Sequence, residues 1–477
     1  MATAAADLGL ERAEPGVLPP GPRLPALVQF LHLGFRPIAF LEECDRRYGT
    51  PFTLRVPARP PLVMFSDPEA IREIFTGDPE RLRAGEANNL LEPMLGQHSL
   101  VLLDGPRHLR QRRLMLPPFH GERMQAYGRV MREIADRSID AWPVGRPFPI
   151  HERMQAITLD VILRTVFGLN EGALLDRLRE CLRRLMAFVS GTLGVLLLMP
   201  WLQRDLGPFT PGGRFVRLAR EIDDLLFAEI ARRRAEGVAG RDDILSMLIA
   251  ARDEDGQRMS DQELRDEMVT LLLAGHETTA TSLAWAFHRL LGRPDVLGKL
   301  RAELRAAADG GCIEPEHVAR LEYLDAVVKE TARLSPVISQ VSRRLQAPMR
   351  IGGCDLPAGV VASPCIYLTH RRPDLWPNPA RFDPERFIGA RPNPYAFFPF
   401  GGGVRRCIGA AFATYEMKVV LAEVLTRVEL RAAPGYTVRT VRRTVTLAPS
   451  GGMPVVVLCQ ARTARSSAPA VSAGAVE

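Results

Sequence analysis

The sequence predicts a mainly α-helical domain with a minor β part, built on one long central helix and closed by a last long helix behind a cysteine-bearing loop. Three observations predict this. Residues 260–291 form one capped, largely apolar stretch far longer than an ordinary helix. Residues 121–250 repeat apolar residues at helical spacing, broken by Pro and Gly. Alternating apolar runs occur only near the N-terminus and after Arg427.

In chain order, residues 1–17 read as a flexible leader. Leu18-Pro-Pro-Gly-Pro-Arg-Leu-Pro25 reads as a stiff extended linker. Phe35 to Tyr48 is helical. Pro51 to Val56 and Pro61 to Ser66 alternate like paired strands, and Asp67-Pro-Glu-Ala-Ile opens a capped helix. Ala84 to Gln97 is punctuated by Asn, Gly and Pro and reads as irregular. Helical spacing then runs through Met124 to Trp142, Arg153 to Phe167 and Leu174 to Leu198, with a further helix at Phe215 to Glu236 after breaks at Pro200, Pro208 and Pro211. Ser260-Asp-Gln-Glu263 is a capping box, and Gly292 and Pro294 end the helix it starts. About 31 residues at 1.5 Å each give roughly 46 Å, enough to cross a whole domain. A cap-and-turn region precedes the helix holding Lys329 to Leu334. Val337 to Val341 reads as a strand, Arg350 to Val361 as a hairpin, and Pro449-Ser-Gly-Gly452 as a turn among the last strands. Residues 18–460 form the domain, and the Ala/Ser-rich 461–477 is expected to be disordered.

Composition narrows the class. The 477 residues have 46% hydrophobic and 25% charged content, as in an ordinary globular protein. Of 62 basic residues only Lys299, Lys329 and Lys418 are lysines, a bias fitting a GC-rich bacterial genome. A net charge of +7 spread over this length, without a Lys/Arg block interleaved with aromatics, points away from nucleic acid. It suits a basic docking face for an acidic electron carrier. Seven scattered cysteines argue for a reducing compartment without structural disulfides. No apolar run is long enough for a signal peptide or membrane anchor, so a cytoplasmic monomer is expected.

Chemistry concentrates at Phe400-Gly-Gly-Gly-Val-Arg-Arg-Cys407-Ile-Gly409. One cysteine follows a glycine-rich loop and opens a helix. Backbone N–H groups, the helix dipole, Arg405 and Arg406 all favour a thiolate. The glycines let the backbone pass close to something flat or bulky. A thiolate so held can be the single protein ligand of a haem iron. No second Cys or His stands at zinc-site spacing. In mid-helix, Ala274-Gly-His-Glu277-Thr278-Thr279 breaks local rules, with Gly and a Thr pair beside a costly buried acid, which suggests function.

The cysteine loop resembles the haem-ligand loop of the cytochrome P450 family, Phe-x-x-Gly-x-Arg-x-Cys-x-Gly, at Phe400, Gly403, Arg405, Cys407 and Gly409. The mid-helix segment matches that family's Ala/Gly-Gly-x-Asp/Glu-Thr-Thr. The resemblance covers about residues 18–460 and implies a cytochrome P450-like fold with haem b (iron protoporphyrin IX) between the central helix and the Cys407 helix. It implies that Cys407 ligates the iron, with Phe400 beneath it. It also implies propionate contacts from His108 and Arg112, which share a helix face at i, i+4, and from Arg405 and Arg343. Arg343 fits that place better than Arg344. Ala274 and Gly275 would widen a groove admitting O2. Thr278 would hydrogen-bond the dioxygen, and Glu277 would relay protons from solvent. His276 would be a neighbour and not a ligand. Val337, Ile338, Gln340, Ala274 and Thr278 would touch substrate. Glu330, Arg333 and Arg386 match the family's structural network, which holds the thiolate loop. The helices flanking the 200–213 break match the lid, with Met186, Phe188, Val189, Leu193, Val195, Leu196 and Trp201 as its apolar residues.

The implied reaction inserts one oxygen atom of O2 into a C–H or C=C bond of a lipophile of terpenoid or fatty-acid type, in secondary metabolism. The cysteine ligand favours O–O cleavage. No flavin or dinucleotide unit is visible, so a separate ferredoxin or flavodoxin with its reductase is implied. Arg110, Arg113, Arg405 and Arg406 are candidate docking residues. The acid–alcohol pair argues against a peroxide-driven peroxygenase. A non-enzymatic haem sensor or carrier would need no proton relay, and an isomerase or dehydratase would turn over without reductant.

Overall fold

The computed structural model describes residues 18–461 except 120, 122, 169–171, 191–204, 206, 208–209, 309–312 and 444. The expected leader and tail, and Leu193, Val195, Leu196 and Trp201 of the presumed lid, lie outside the described residues.

The central helix spans Asp261–Leu291 and is buried along most of its length. The Ser260 hydroxyl accepts from the Glu263 N–H at 3.1 Å, and the Glu263 carboxylate accepts from the Ser260 N–H at 2.8 Å, so both halves of the capping box form. Gly292 caps the other end. The helix packs most extensively against Ile150–Phe167, where Ile157, Val161 and Phe167 are buried. The helices Arg123–Asp140, Pro211–Glu236, Glu322–Leu334 and Ala410–Arg427 complete the main core.

A five-stranded mixed sheet stands beside this bundle. Its order is Phe52–Leu54, Leu62–Phe65, Val361–Pro364, Arg343–Leu345 and Leu82–Arg83, with Leu62–Phe65 parallel to Val361–Pro364. It has its own apolar cluster around Phe65, Ile71 and Phe398. Both strands expected at 51–66 are present. So is the Asp67 cap, whose carboxylate accepts from Glu69 and Ala70 N–H at 3.0 and 3.1 Å. A three-stranded sheet, Pro147–Pro149, Pro454–Gln460 and Val428–Ala432, joins the chain end to the bundle. The hairpin Thr440–Arg443/Thr446–Pro449 lies against the central helix, where the Trp285 indole donates to the Leu447 carbonyl at 2.8 Å.

Leu18 to Pro25 is non-helical, as expected, and the residues after it form a helix of their own, Ala26–Phe35, which the buried Gln29 side chain ties back to the carbonyls of Pro22 and Leu24. Two expectations are corrected. The supposed cap-and-turn region contains the helix Pro294–Ala308. Its buried Val296, Leu300 and Leu304 are spaced i, i+4, i+8, a signal the sequence did carry. Val337 to Val341 is not a strand. Its backbone groups make isolated bonds without a ladder: the Val337 carbonyl to Leu447 N–H, and the Ser339 carbonyl and Val341 N–H to Tyr367 N–H and the Pro364 carbonyl of one neighbouring segment. The ladder begins only at Arg343. The stretch from Ala84 is also less irregular than expected, with short helical turns at Ala84–Ala87, Asn89–Leu91 and Glu92–Leu95.

Candidate active site

The Cys407 loop is closed by a bond from the Cys407 N–H to the Phe400 carbonyl at 3.0 Å. Two glycines are required by space. A Cβ on Gly402 would strike the Phe75 ring, and one on Gly403, whose φ is +64°, would strike the Phe75 carbonyl oxygen. The Gly409 N–H donates toward the Cys407 sulfur, and Arg112 and Arg406 add positive charge. Burial outweighs these and pushes the thiol up. Cys407 nevertheless has accessible surface, and it lines a recess with Arg112, Phe400, Arg406 and Ile408.

The central helix also opens in its middle. Ala274 is exposed, and Gly275, Thr278 and Ser282 are part-exposed, between turns that are buried. Ala274, Thr278 and Ser282 are four apart and share one face. The Thr278 hydroxyl donates to the Ala274 carbonyl at 2.5 Å, within its own helix. The Glu277 side chain turns instead into the contact with Ile150–Phe167. There Gln155 Nε2 donates to Oε2 at 2.6 Å, Thr281 Oγ1 lies 3.4 Å from Oε1, and His151 Nε2 lies 3.7 Å from it. Burial raises the Glu277 carboxyl above the usual range. His276 is buried, with Nδ1 at 2.9 Å from Thr158 Oγ1.

A cationic cluster surrounds the other edge. His108 is buried, and its pKa falls to about 3 through burial and then the charges of Arg405, Arg112 and Arg343. Arg343 is only 6% exposed and donates to carbonyls of Ser342 and Gly402, with no carboxylate hydrogen-bonded to it among the described residues. Burial and Arg405 push its pKa down to about 10. Arg344, one residue on, faces the opposite way and pairs with Glu86 at 3.6 Å. Arg405 holds its loop to the preceding segment by donating to the carbonyls of Leu100 and Leu103 and to Asp104. Arg112, Arg343 and Arg405 thus converge on the neutral, buried His108, and Asp104 offsets the charge of Arg405. The remaining positive charge, of which Arg343 is buried, calls for an anion.

The loop rests on a buried network. Arg333 chelates Glu330, with Nε to Oε2 at 2.6 Å and Nη2 to Oε1 at 2.8 Å, and Arg386 Nε donates to Glu330 Oε1 at 3.1 Å. Arg333 Nη1 donates to the His370 carbonyl at 2.6 Å, and His370 Nε2 accepts from the Phe398 N–H at 3.0 Å. His370 therefore links the network to the aromatic run before Cys407. Sequence reading missed it, because nothing local distinguishes this histidine. Of the presumed substrate contacts, Val337 is buried, Ile338 packs on the sheet-side cluster, and the Gln340 carboxamide oxygen accepts from Ser339 Oγ at 2.7 Å. Met186 and Phe188 pack on the main core.

The proposed docking arginines separate. Arg110 is taken by Asp253 and Glu263, and Arg113 by Glu254. Arg405 faces inward. Only Arg406 borders the recess of about 620 Å³ on the Cys407 side, where Arg112, Arg320 and Lys418 also lie and Glu316 is the acidic residue.

An accessible thiol after a glycine-rich loop, an opened face on the central helix and an anion-seeking basic cluster are the parts a haem-thiolate site requires. The cytochrome P450 family model matches residues 18–455, and the chain belongs to that family. It is 45% identical to cytochrome P450 135B1 of Mycobacterium tuberculosis over 87% of this chain and 85% of that protein. It is 39% identical to cytochrome P450 138 of the same species over 92% and 96%. Among solved structures, a cyanobacterial CYP120A1 with retinoic acid bound superposes with TM-score 0.80 at 26% identity, covering 93% of this chain and 99% of that one. The haem domain of cytochrome P450DA superposes with TM-score 0.81 at 25% identity, covering 93% and 98%. The protein is a monooxygenase that binds protoporphyrin IX haem. Among the described residues no helix is long and apolar enough to cross a membrane.

Proposed function

We propose that this enzyme inserts one oxygen atom of O2 into a lipophilic small molecule of the terpenoid or fatty-acid type, in a bacterial secondary pathway in the cytoplasm. The observation that carries the proposal is the open face at Ala274, Gly275 and Thr278 in a helix otherwise buried in apolar packing. Val337 and Ile338 supply apolar surface nearby in this reading. The retinoic acid held by the cyanobacterial neighbour, an isoprenoid acid, favours the same class.

In this reading Cys407 ligates the haem iron, and His108, Arg112, Arg343 and Arg405 receive the propionates, whose two charges the cluster lacks. Haem, when bound, supplies the oxygen-activating chemistry. Thr278 turns its hydroxyl from the Ala274 carbonyl into the open face when oxygen is bound, and Glu277 feeds protons to it from behind. Glu330, Arg333 and Arg386 fix the loop that presents the thiolate. The electron donor is a separate acidic ferredoxin or flavodoxin, reduced by its own reductase. It docks at the basic recess bordered by Arg406 and Arg320, which Cys407 also lines.

The test is an absorption titration of the haem-loaded, oxidised protein with retinoic acid, a sesquiterpene alcohol, lauric acid and a steroid. A saturating shift of the Soret band toward high spin with one of the first three, followed by an oxygenated product, supports the proposal. A shift with the steroid alone, or with none of the four, overturns the substrate class.

A further inference from the structure

Glu277 is linked to the hairpin Thr440–Arg443/Thr446–Pro449 by a chain of hydrogen bonds with a definite direction. Arg443 Nη1 lies 3.1 Å from His151 Nδ1. Guanidinium nitrogens only donate, so Nδ1 accepts and carries no hydrogen. The imidazole is buried, and burial together with Arg443 and His276 depresses its pKa to about 3, so the ring is neutral. Its single hydrogen is therefore on Nε2. That nitrogen lies 3.1 Å from Thr281 Oγ1 and 3.7 Å from Glu277 Oε1. The Thr281 hydroxyl, receiving from His151, gives its own hydrogen to Glu277 Oε1 at 3.4 Å. Gln155 Nε2 donates to the other oxygen at 2.6 Å. Every polar neighbour of the carboxylate is a donor, and the donors line up from Arg443 inward.

We infer that His151 is the positioning and relay residue for Glu277, and that Arg443 is the gate at the outer end of this path. The inference rests on the reading that Glu277 delivers protons. Arginine does not release a proton at neutral pH, so the path runs only when Arg443 swings off Nδ1 and water reaches that nitrogen. The transfer then balances. A solvent hydronium gives its proton to Nδ1 and leaves as water, the Nε2 proton passes to Thr281 Oγ1, and the Thr281 proton passes to Glu277 Oε1. The imidazole is left as its Nδ1–H tautomer, and proton exchange through the admitted water returns the hydrogen to Nε2 before Arg443 closes. Arg443 is part-exposed, whereas the His151 side chain is 1% exposed, so water meets the path first at the arginine.

The inference is tested on the haem-loaded enzyme in two ways. In histidine-selective 15N NMR, the resonance lost in His151→Gln is expected to show the Nε2–H tautomer, and its Nδ1 signal to shift in Arg443→Met. An Nδ1–H tautomer overturns the path. The second readout is NADPH oxidation without organic substrate, driven by a plant-type ferredoxin and its reductase. Each rate is divided by that variant's rate of reduction under carbon monoxide. Proton supply to the open face limits this rate, so Glu277→Gln, His151→Phe and His151→Gln are each expected to fall about tenfold or more, with a changed H2O/D2O rate ratio. His151→Gln keeps a donor toward Thr281 but cannot pass a proton through, so it separates relay from mere support. Slow Glu277→Gln with wild-type His151 variants overturns this inference alone. Wild-type rates in Glu277→Gln overturn the proton-delivery reading beneath it.

Discussion

Arg333 grips Glu330 with two hydrogen bonds of 2.6 and 2.8 Å, and neither residue has any exposed surface. The pair is satisfied on every side. Arg386 and the Asp383 N–H reach the same carboxylate, and Arg333 also donates to the carbonyls of His370 and Pro379. Removing one charge leaves the other buried without its counter-ion, which costs about 3–5 kcal/mol. Glu330→Gln is expected to lower the midpoint of urea unfolding accordingly. It should also reduce haem retention, because the His370–Phe398 bond leads from this network to the Cys407 loop.

Neighbouring arginines on one strand should behave oppositely. Arg343 is buried in the cationic cluster with no carboxylate hydrogen-bonded to it among the described residues, whereas Arg344 pairs with Glu86 on the other face. A charge-assisted hydrogen bond to a propionate contributes about 1.5–3 kcal/mol. Arg343→Leu should therefore weaken haem affinity at least about tenfold, measured by haem transfer to apomyoglobin. Arg344→Leu should transfer haem at the wild-type rate. Equal behaviour of the two would remove Arg343 from the propionate site.

Thr278 stands on the open face and Glu277 behind it. Thr278→Ala should cut reductase-driven oxygenation by about 10²-fold, within the range for a lost proton-transfer group. Turnover with hydrogen peroxide, which arrives already protonated, should persist. Equal losses by both routes would mean that Thr278 shapes the pocket rather than serving proton delivery.

Glu267 gives a pH prediction independent of the chemistry. It is fully buried, and neither carboxylate oxygen makes a well-formed hydrogen bond. Burial pushes its pKa from 4.5 to about 8, with nearby Gln111 and the Leu100 N–H pulling back less. Between those values the folded protein holds a proton that the unfolded chain has released, so stability falls as pH rises through this window, by up to about 1.4 kcal/mol per pH unit. Glu267→Gln removes that loss. Its melting temperature should gain on the wild type as pH rises toward 8, and the gap should stay constant above that. A constant gap from pH 5 upward would show that Glu267 does not titrate in this range.

Much of the site was legible because it is local. The Cys407 loop, the Glu277-Thr278 pair, the Ser260 cap and the His108/Arg112 spacing each lie within a few residues, so residue type and period were enough. The elements that escaped were obscured in different ways. Prolines before Ala26 concealed the first helix. Val296, Leu300 and Leu304 carried a helical period that was overlooked. Val337 to Val341 has strand-like composition, but its backbone is divided between the last hairpin and the segment Pro364–Tyr367.

The sequence by itself determined the helical class, the family and the glycine loop before Cys407, because these depend on short-range spacing and on residues with few physical substitutes. Only the tertiary structure decided which charges meet. It turned Arg343 inward and Arg344 outward, since alternate residues of a strand face opposite sides. It spent Arg110 and Arg113 on nearby acids and turned Arg405 inward, leaving Arg406 at the basic recess. It also brought His151 to Thr281 across 130 residues and Arg443 to His151 across 292. A sequence pattern holds no distance over such a span. The helix packing and the placement of the last hairpin set it.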